Sequence, residues 1–137
     1  MELDFPLEFI VNGTPVSAQA RRPESIVAWK DRVKEASRAS LPEGHFAFED
    51  QVGVTIYYFP DTEMQGDIDN IVKPILDALC KHIYIDDRQV ERVLVQKFEP
   101  GRVFEFQAPS AALGDALNAI KPATYVRLSN DPFEDLA

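Results

Sequence analysis

The chain has 137 residues, 45% of them hydrophobic, and a formal net charge of −9, which predicts one globular domain and excludes a disordered segment. The single cysteine, Cys80, excludes an internal disulfide, and no apolar run approaches the roughly 20 residues that span a bilayer. Because the first residues, MELDFPLEF, carry acids and no long apolar run, we expect no signal peptide and a cytoplasmic location.

The first half of the chain is predicted to form two strands and one helix. PLEFIVNG alternates apolar and polar residues and ends in Asn12-Gly13, which indicates a strand that runs into a turn. PESIVAWKDRVKEASRASL places apolar residues such as Trp29 and Val33 at helical spacing, and predicts an amphipathic helix with a basic exposed face. VGVTIYYFP is rich in β-branched and aromatic residues and predicts a strand that stops at Pro60.

The second half is predicted to form a helix, a hairpin, a short helix and a last strand. Since proline is tolerated only near the start of a helix, DIDNIVKPILDALCKH predicts a helix with Pro74 in its first turn and Asp69 or Asn70 as its N-cap. QVERVLVQKFEP and RVFEFQAP predict two strands joined as a hairpin at residues 99–101. SAALGDALNAI predicts a short helix, and TYVRLS predicts a final edge strand.

These elements follow no regular βαβ order, so they predict an α+β fold. We expect a single domain over residues 1–128, with a mixed β-sheet and two to three helices packed on it. Residues 129–137, which include NDPFEDLA, are expected to form an acidic C-terminal tail.

Four aspartates flank the predicted central helix. Asp67 and Asp69 precede it, and Asp86 and Asp87 follow it, just before a strand. Neighbouring side chains of an extended segment face opposite ways, so we expect only one of the second pair to join the first two. Three converging carboxylates need a counter-charge, and oxygen ligands without histidine or cysteine favour a hard cation such as Mg²⁺. Lys73, one turn beyond Asp69, would offset charge on a phosphate in the transition state.

The same residues also have a purely structural interpretation. Asp69 would serve only as a helix cap, the Asp86-Asp87 pair would lie in an ordinary turn, and Lys73 would be a solvated surface charge. On spacing alone, this interpretation is preferred.

A longer pattern changes that preference. The stretch DIDNIVKPILDALCKHIYIDDRQVERVLVQK resembles the RusA family of Holliday-junction resolvases, whose pattern runs Asp-x-Asp-Asn, Lys, Asp-Ala-Leu, Asp-Asp-x-Gln-Val and a final Lys. Near the N-terminus, GTPVSAQAR is similar to the entry segment of the family. The matching residues of the long pattern are Asp67, Asp69, Asn70, Lys73, Asp77, Ala78, Leu79, Asp86, Asp87, Gln89, Val90 and Lys97.

The resemblance implies a homodimeric endonuclease, dependent on Mg²⁺ or Mn²⁺, that resolves four-way DNA junctions by paired nicks in recombination and repair. Residues 1–128 would be its nuclease domain. The implied roles, carried over by position, are metal-binding catalytic acids for Asp67, Asp69 and Asp87, an assisting lysine for Lys73, and supporting residues for Asn70 and Asp86.

The chain departs from the family where basic residues often precede the first aspartate, because it has PDTEMQG there. Its pI of about 4.6 also argues against a uniformly basic DNA-binding surface, although the segment ARRPESIVAWKDRVKEASR is locally basic. Two alternatives therefore stay open: a catalytically inactive acidic module that binds a metal or a partner, and a nuclease that acts on flaps or forks. The residues expected to contact DNA are Arg21, Arg22, Lys30, Arg32 and Lys97.

Overall fold

The computed structural model describes residues 2–102 and 104–134. Within these ranges the chain forms one four-stranded mixed sheet and three α-helices, which confirms the predicted α+β fold. None of the helices in these ranges is long and apolar enough to cross a membrane. In chain order the elements are β1 (Leu7–Asn12), α1 (Pro23–Ser37), β2 (Val52–Phe59), α2 (Val72–Leu79), β3 (Val90–Lys97), α3 (Ala111–Asn118) and β4 (Ala123–Ser129).

The strand order in the sheet is β1-β4-β2-β3. β4 pairs antiparallel with both β1 and β2, whereas β2 and β3 are parallel and are connected through α2. The prediction that TYVRLS forms an edge strand is therefore wrong, because β4 lies in the interior of the sheet. Its residues are almost all buried, as expected for a strand that is covered on both faces.

The predicted hairpin is also wrong. β3 pairs parallel with β2, and residues 102 and 104–106 form no strand, while Val103 lies outside the described residues. The rings of this stretch pack across the sheet instead, with 4.7 Å between the centroids of Phe98 and Phe104 and 5.6 Å between those of Phe106 and Tyr57. Contacts between aromatic rings thus take the place of the ladder hydrogen bonds that a hairpin would have made.

The sheet separates two apolar clusters. On one face, α1 and α2 pack against the sheet through Trp29, Val33, Ile75 and Leu79, each at most 2% exposed. On the other face, α3 covers a smaller aromatic cluster that includes Phe59, Leu113 and Tyr125. The predicted amphipathic character of α1 is confirmed.

α2 begins at Val72, so Pro74 lies in its first turn as predicted. The predicted side-chain cap is wrong, because a 3-10 turn at Ile68–Ile71 precedes α2 and Ile71, which cannot cap, occupies the N-cap position. Asp69 lies inside this 3-10 turn, and Asp67, at its start, makes no capping hydrogen bond. Neither of these two carboxylates therefore caps a helix.

Ser37 at the end of α1 is joined to His82, which follows α2. The hydroxyl of Ser37 donates to the carbonyl of Lys34 at 2.6 Å and lies 2.8 Å from Nε2 of His82, so Nε2 supplies the proton of the second contact. Burial, and to a smaller extent the electrostatic influence of His45 and Arg38, lowers the pKa of His82 to about 4.

We expect the free energy of unfolding to fall as the pH is lowered from about 6.5 to about 4, because the folded state keeps His82 neutral while the unfolded chain binds a proton there. The side chain keeps some solvent access, so the loss should be about 1–2 kcal/mol. Urea unfolding of the protein and of a His82→Gln variant at pH 6.5 and 4.5 measures it. An equal pH slope in both proteins would contradict this origin.

Candidate functional site

The four aspartates lie in two exposed loops at the two ends of α2. Asp67 and Asp69 belong to the loop and 3-10 turn before α2, and Asp86 and Asp87 belong to the turn that leads into β3. The 3-10 turn also lies against β3. The backbone therefore places both pairs around one helix on one face of the sheet.

Lys73 connects α2 with the second loop. Its Nζ lies 2.7 Å from Oδ1 of Asp77, one turn along the helix, and 3.2 Å from Oδ2 of Asp87. Hydrogen bonds to Asp77 and then Asp87 raise the pKa of Lys73, so the side chain keeps its positive charge. The structure thus brings Lys73 and Asp87 together, and the same ammonium group also forms an ion pair with Asp77.

The side chains of Asp67 and Asp69 are exposed to solvent. Within residues 2–102 and 104–134 their carboxylates make no hydrogen bond or ion pair. In the same ranges, no three His, Cys, Asp or Glu side chains lie close enough together to hold a metal ion. The structure therefore does not gather Asp67, Asp69 and Asp87 into one cluster, and Asp87 has the ammonium of Lys73 as its counter-charge.

The donor chemistry of these residues nevertheless fits a hard divalent cation. Asp67 and Asp69 are exposed, have free carboxylate oxygens and stand two residues apart. Mg²⁺ keeps several waters and needs only one or two protein carboxylates, so two open aspartates satisfy its preference. Asp87 is the third carboxylate predicted for this set. The metal-binding roles of all three remain predictions.

Asp86 shapes the turn that carries Asp87. Its Oδ1 accepts a hydrogen bond from the backbone N–H of Arg88 at 2.9 Å, and this bond lowers the pKa of Asp86. Together with Gln89 it forms a capping box over the 3-10 turn Asp87–Gln89. Asp86 is therefore a structural neighbour of Asp87, and its supporting role in the site remains a prediction. The Asp-x-x-Gln spacing is itself a capping-box signal, from which this turn could have been predicted.

Gln89 anchors this turn to a distant loop. Its Oε1 accepts from the backbone N–H groups of Ile85 and Asp86, both at 2.8 Å. Its Nε2 donates to the carbonyls of Phe48 at 2.7 Å and Asp50 at 2.8 Å. One side chain thus uses four hydrogen bonds to hold the turn against residues 48–50, a role that the sequence pattern alone did not reveal.

Gln89→Leu should lower the free energy of unfolding by about 2–4 kcal/mol, because it removes four hydrogen bonds at nearly constant volume. The same change at Gln96, exposed on β3, is the matched control. Urea unfolding measures the loss, and equal stability of the Gln89→Leu and Gln96→Leu variants would contradict the anchoring role.

The residues predicted to contact DNA lie in two places. Arg21 and Arg22 precede α1 and Arg32 lies on it, all three exposed, whereas Lys30 on α1 is half-buried. Lys97, at the end of β3, is 39% exposed, and its Nζ lies 3.4 Å from Glu99.

A backbone contact links the basic segment to the first aspartate loop. The amide of Ala18 donates to the carbonyl of Asn70 at 2.8 Å, only three residues before Arg21. The bond uses the backbone carbonyl of Asn70, and it joins the stretch just before the basic segment to the loop of Asp67 and Asp69.

Comparison with known protein families finds one match. A family model described as endodeoxyribonuclease RusA matches residues 11–104, which is more than half of the chain. The matched range contains every candidate site residue named above, from Arg21 to Lys97. A search of curated proteins returns no match to this chain.

Proposed function

Because the chain belongs to the RusA family of endodeoxyribonucleases, we propose that it resolves four-way (Holliday) DNA junctions by paired, metal-dependent nicks during DNA recombination and repair. We further propose that it acts as a homodimer, since two symmetric nicks in a junction of two-fold symmetry need two sites. The observation that carries this function is the family match over residues 11–104, a range that contains Asp67, Asp69, Lys73 and Asp87.

The chemistry can be assigned to residues of this chain. Asp67 and Asp69, with Asp87, would hold Mg²⁺ or Mn²⁺, which supplies polarisation of a phosphate oxygen and of the attacking water. Lys73 supplies a fixed positive charge, which offsets the negative charge that develops on the phosphate in the transition state. Asp77, at 2.7 Å from Nζ, keeps that ammonium charged and directed along α2.

Contacts to DNA phosphates must overcome a net charge of −9 and the repulsion from the open aspartates. We assign these contacts to Arg21, Arg22, Lys30, Arg32 and Lys97. Support comes from the Ala18–Asn70 bond, which joins the stretch three residues before Arg21 to the loop of Asp67 and Asp69.

Replacing Arg21, Arg22 and Arg32 together by alanine should weaken junction binding and make its salt dependence shallower. Each lost phosphate contact reduces the slope of log K against log[salt] by about 0.9, so the slope should change by up to about 2.7. Titrations of a fluorescent junction at several salt concentrations measure both effects. Arg102→Ala, in the loop after β3, is the control, and unchanged binding of the triple variant would contradict the assignment.

The decisive experiment incubates the protein with a synthetic four-way junction, with and without Mg²⁺ or Mn²⁺. Paired nicks that appear only with metal support the proposed function, and flaps and forks run in parallel identify any other branched substrate. Persistent inactivity would favour the second candidate, an inactive acidic module that binds a metal or a partner. The observation in its favour is that, among the described residues, no three carboxylates are assembled into a metal cluster.

A further inference from the structure

Asp77 belongs to the long sequence pattern, but it is not one of the acids expected to bind the cation. It lies in the second half of α2, one turn after Lys73. Its Oδ1 lies 2.7 Å from Nζ of Lys73, and among the residues that the structure describes its carboxylate makes no other ion pair or hydrogen bond. Asp77 therefore has a single partner, the ammonium group of Lys73.

Lys73 has two partners that are held in different ways. Asp77 stands four residues later on the same helix, so the geometry of α2 fixes the distance between the two backbone positions. Asp87 lies 3.2 Å from the same nitrogen and belongs to the turn before β3. One ammonium group is thus shared between a carboxylate of its own helix and a carboxylate of the candidate site.

This sharing affects how a cation can reach Asp87. In the proposed function Asp87 binds Mg²⁺ or Mn²⁺, and the cation must then replace the ammonium as the counter-charge of Asp87. If Asp87 were the only partner of Lys73, the exchange would leave an ammonium without a carboxylate. Because Asp77 remains, Lys73 keeps one ion pair throughout, and the exchange costs less free energy.

The contact with Asp77 also limits where Lys73 can move. A lysine side chain has a flexible aliphatic stem, and 60% of this side chain is exposed to solvent. A lysine that had lost Asp87 and had no second partner would rotate freely into the solvent. With Asp77 in place, Nζ stays on the side of α2 that faces Asp87, as its proposed role in the transition state requires.

We propose that Asp77 is a positioning residue. It lowers the cost of exchanging the ammonium of Lys73 for a divalent cation at Asp87, and it holds Lys73 beside the site after the exchange. The inference rests on the proposed function for the assignment of Asp87 as a cation ligand. The alternative is a helix-stabilising pair, in which Asp77 and Lys73 only support an exposed face of α2.

Titration of Mn²⁺ into the full chain, without DNA, tests the exchange. Asp77→Asn should weaken Mn²⁺ binding about fivefold in the original protein, because Lys73 then competes for Asp87 with no second partner. In a Lys73→Met background the competitor is absent, so the same change should weaken binding by no more than about twofold, through the loss of one nearby negative charge. Isothermal titration calorimetry measures the affinities. Asp115→Asn, the same change on α3, is the control and should leave the affinity unaltered.

The comparison of the two backgrounds separates the exchange from other effects of Asp77. A pair that only stabilises α2 predicts no loss of affinity. Simple attraction of the cation by Asp77 predicts a loss at least as large without Lys73 as with it. Either result would overturn the inference, and so would a chain that binds no Mn²⁺. Circular dichroism establishes that each variant is folded before its affinity is compared.

Cleavage at saturating Mn²⁺ tests whether Asp77 holds Lys73 in place. Asp77→Asn should slow single-turnover cleavage of a four-way junction about tenfold in the original protein, and should have no further effect on the Lys73→Met variant. Asp77→Glu keeps a carboxylate at the same spacing and should recover most of the rate. Equal slowing by Asp77→Asn in both backgrounds would contradict the positioning role.

The two experiments distinguish this inference from the proposed function. The Mn²⁺ titration needs no DNA, so a chain that shows the expected difference between backgrounds but never cuts a junction would reject the nuclease function alone. A chain that cuts junctions, while Asp77→Asn has equal effects with and without Lys73, would reject the role of Asp77 alone.

Discussion

Replacing Asp67 or Asp69 by asparagine is expected to lower metal-dependent cleavage of a four-way junction by at least about 100-fold, more than the loss of a residue that merely supports a metal ligand. Each change removes an anionic oxygen that would bind the cation. Binding of the junction should survive or strengthen, because a negative charge near the DNA phosphates disappears. Single-turnover cleavage and gel-shift titrations measure the two effects separately.

In the structure, these two substitutions should affect the site without affecting the stability of the fold. Neither carboxylate has a partner within residues 2–102 and 104–134, so the free energy of unfolding should stay within about 0.5 kcal/mol of that of the original protein. Asp115→Asn, the same change on the exposed surface of α3, should leave cleavage unaltered. Full cleavage activity in either Asp67→Asn or Asp69→Asn would reject the assignment.

Lys73→Met is expected to slow cleavage by about 100-fold, in the range found when a single group that stabilises transition-state charge is removed. The change also leaves Asp77 and Asp87 side by side without the ammonium that now lies 2.7 and 3.2 Å from them. Lys73→Arg keeps the charge with a different geometry and should recover part of the rate. Single-turnover rates at saturating protein measure the chemical step apart from DNA binding.

Lys81→Met is the matched control, because Lys81 is exposed just after α2 and makes no ion pair within the described residues. A Lys73→Met rate within twofold of the original would contradict a role in the chemical step. A faster rate would also contradict it, and would mean that Lys73 holds Asp87 away from the other two aspartates.

Local patterns allowed most helices and strands to be predicted. The alternation in β1, the β-branched and aromatic residues of β2 and the helical spacing of Trp29 and Val33 are all visible in short stretches of sequence, and the structure confirms these three elements. The position of β4 between β1 and β2 depends on pairing between segments that are far apart in the chain. A short stretch of sequence carries no information about such pairing. The stretch after β3 alternates like a strand, but its phenylalanines gain more by covering the second face of the sheet.

The candidate site, too, could be predicted only in part from the sequence. The two pairs of aspartates and their position around α2 could be predicted from the sequence pattern. The pairing of Asp87 with Lys73 could not, because it depends on a turn that Gln89 fastens to the carbonyls of Phe48 and Asp50, about 40 residues earlier in the chain. The absent N-cap could not be predicted either, since the 3-10 turn before α2 replaces it.

The parallel connection from β2 through α2 to β3 has a consequence for how the site forms. Every candidate acid lies between two strands that are neighbours in the sheet, so closing the β2–β3 ladder fixes both ends of the segment that carries them. The acids and their scaffold then order in a single cooperative step, and local fraying at either terminus leaves them undisturbed. The candidate site should therefore persist until the β2–β3 ladder itself opens.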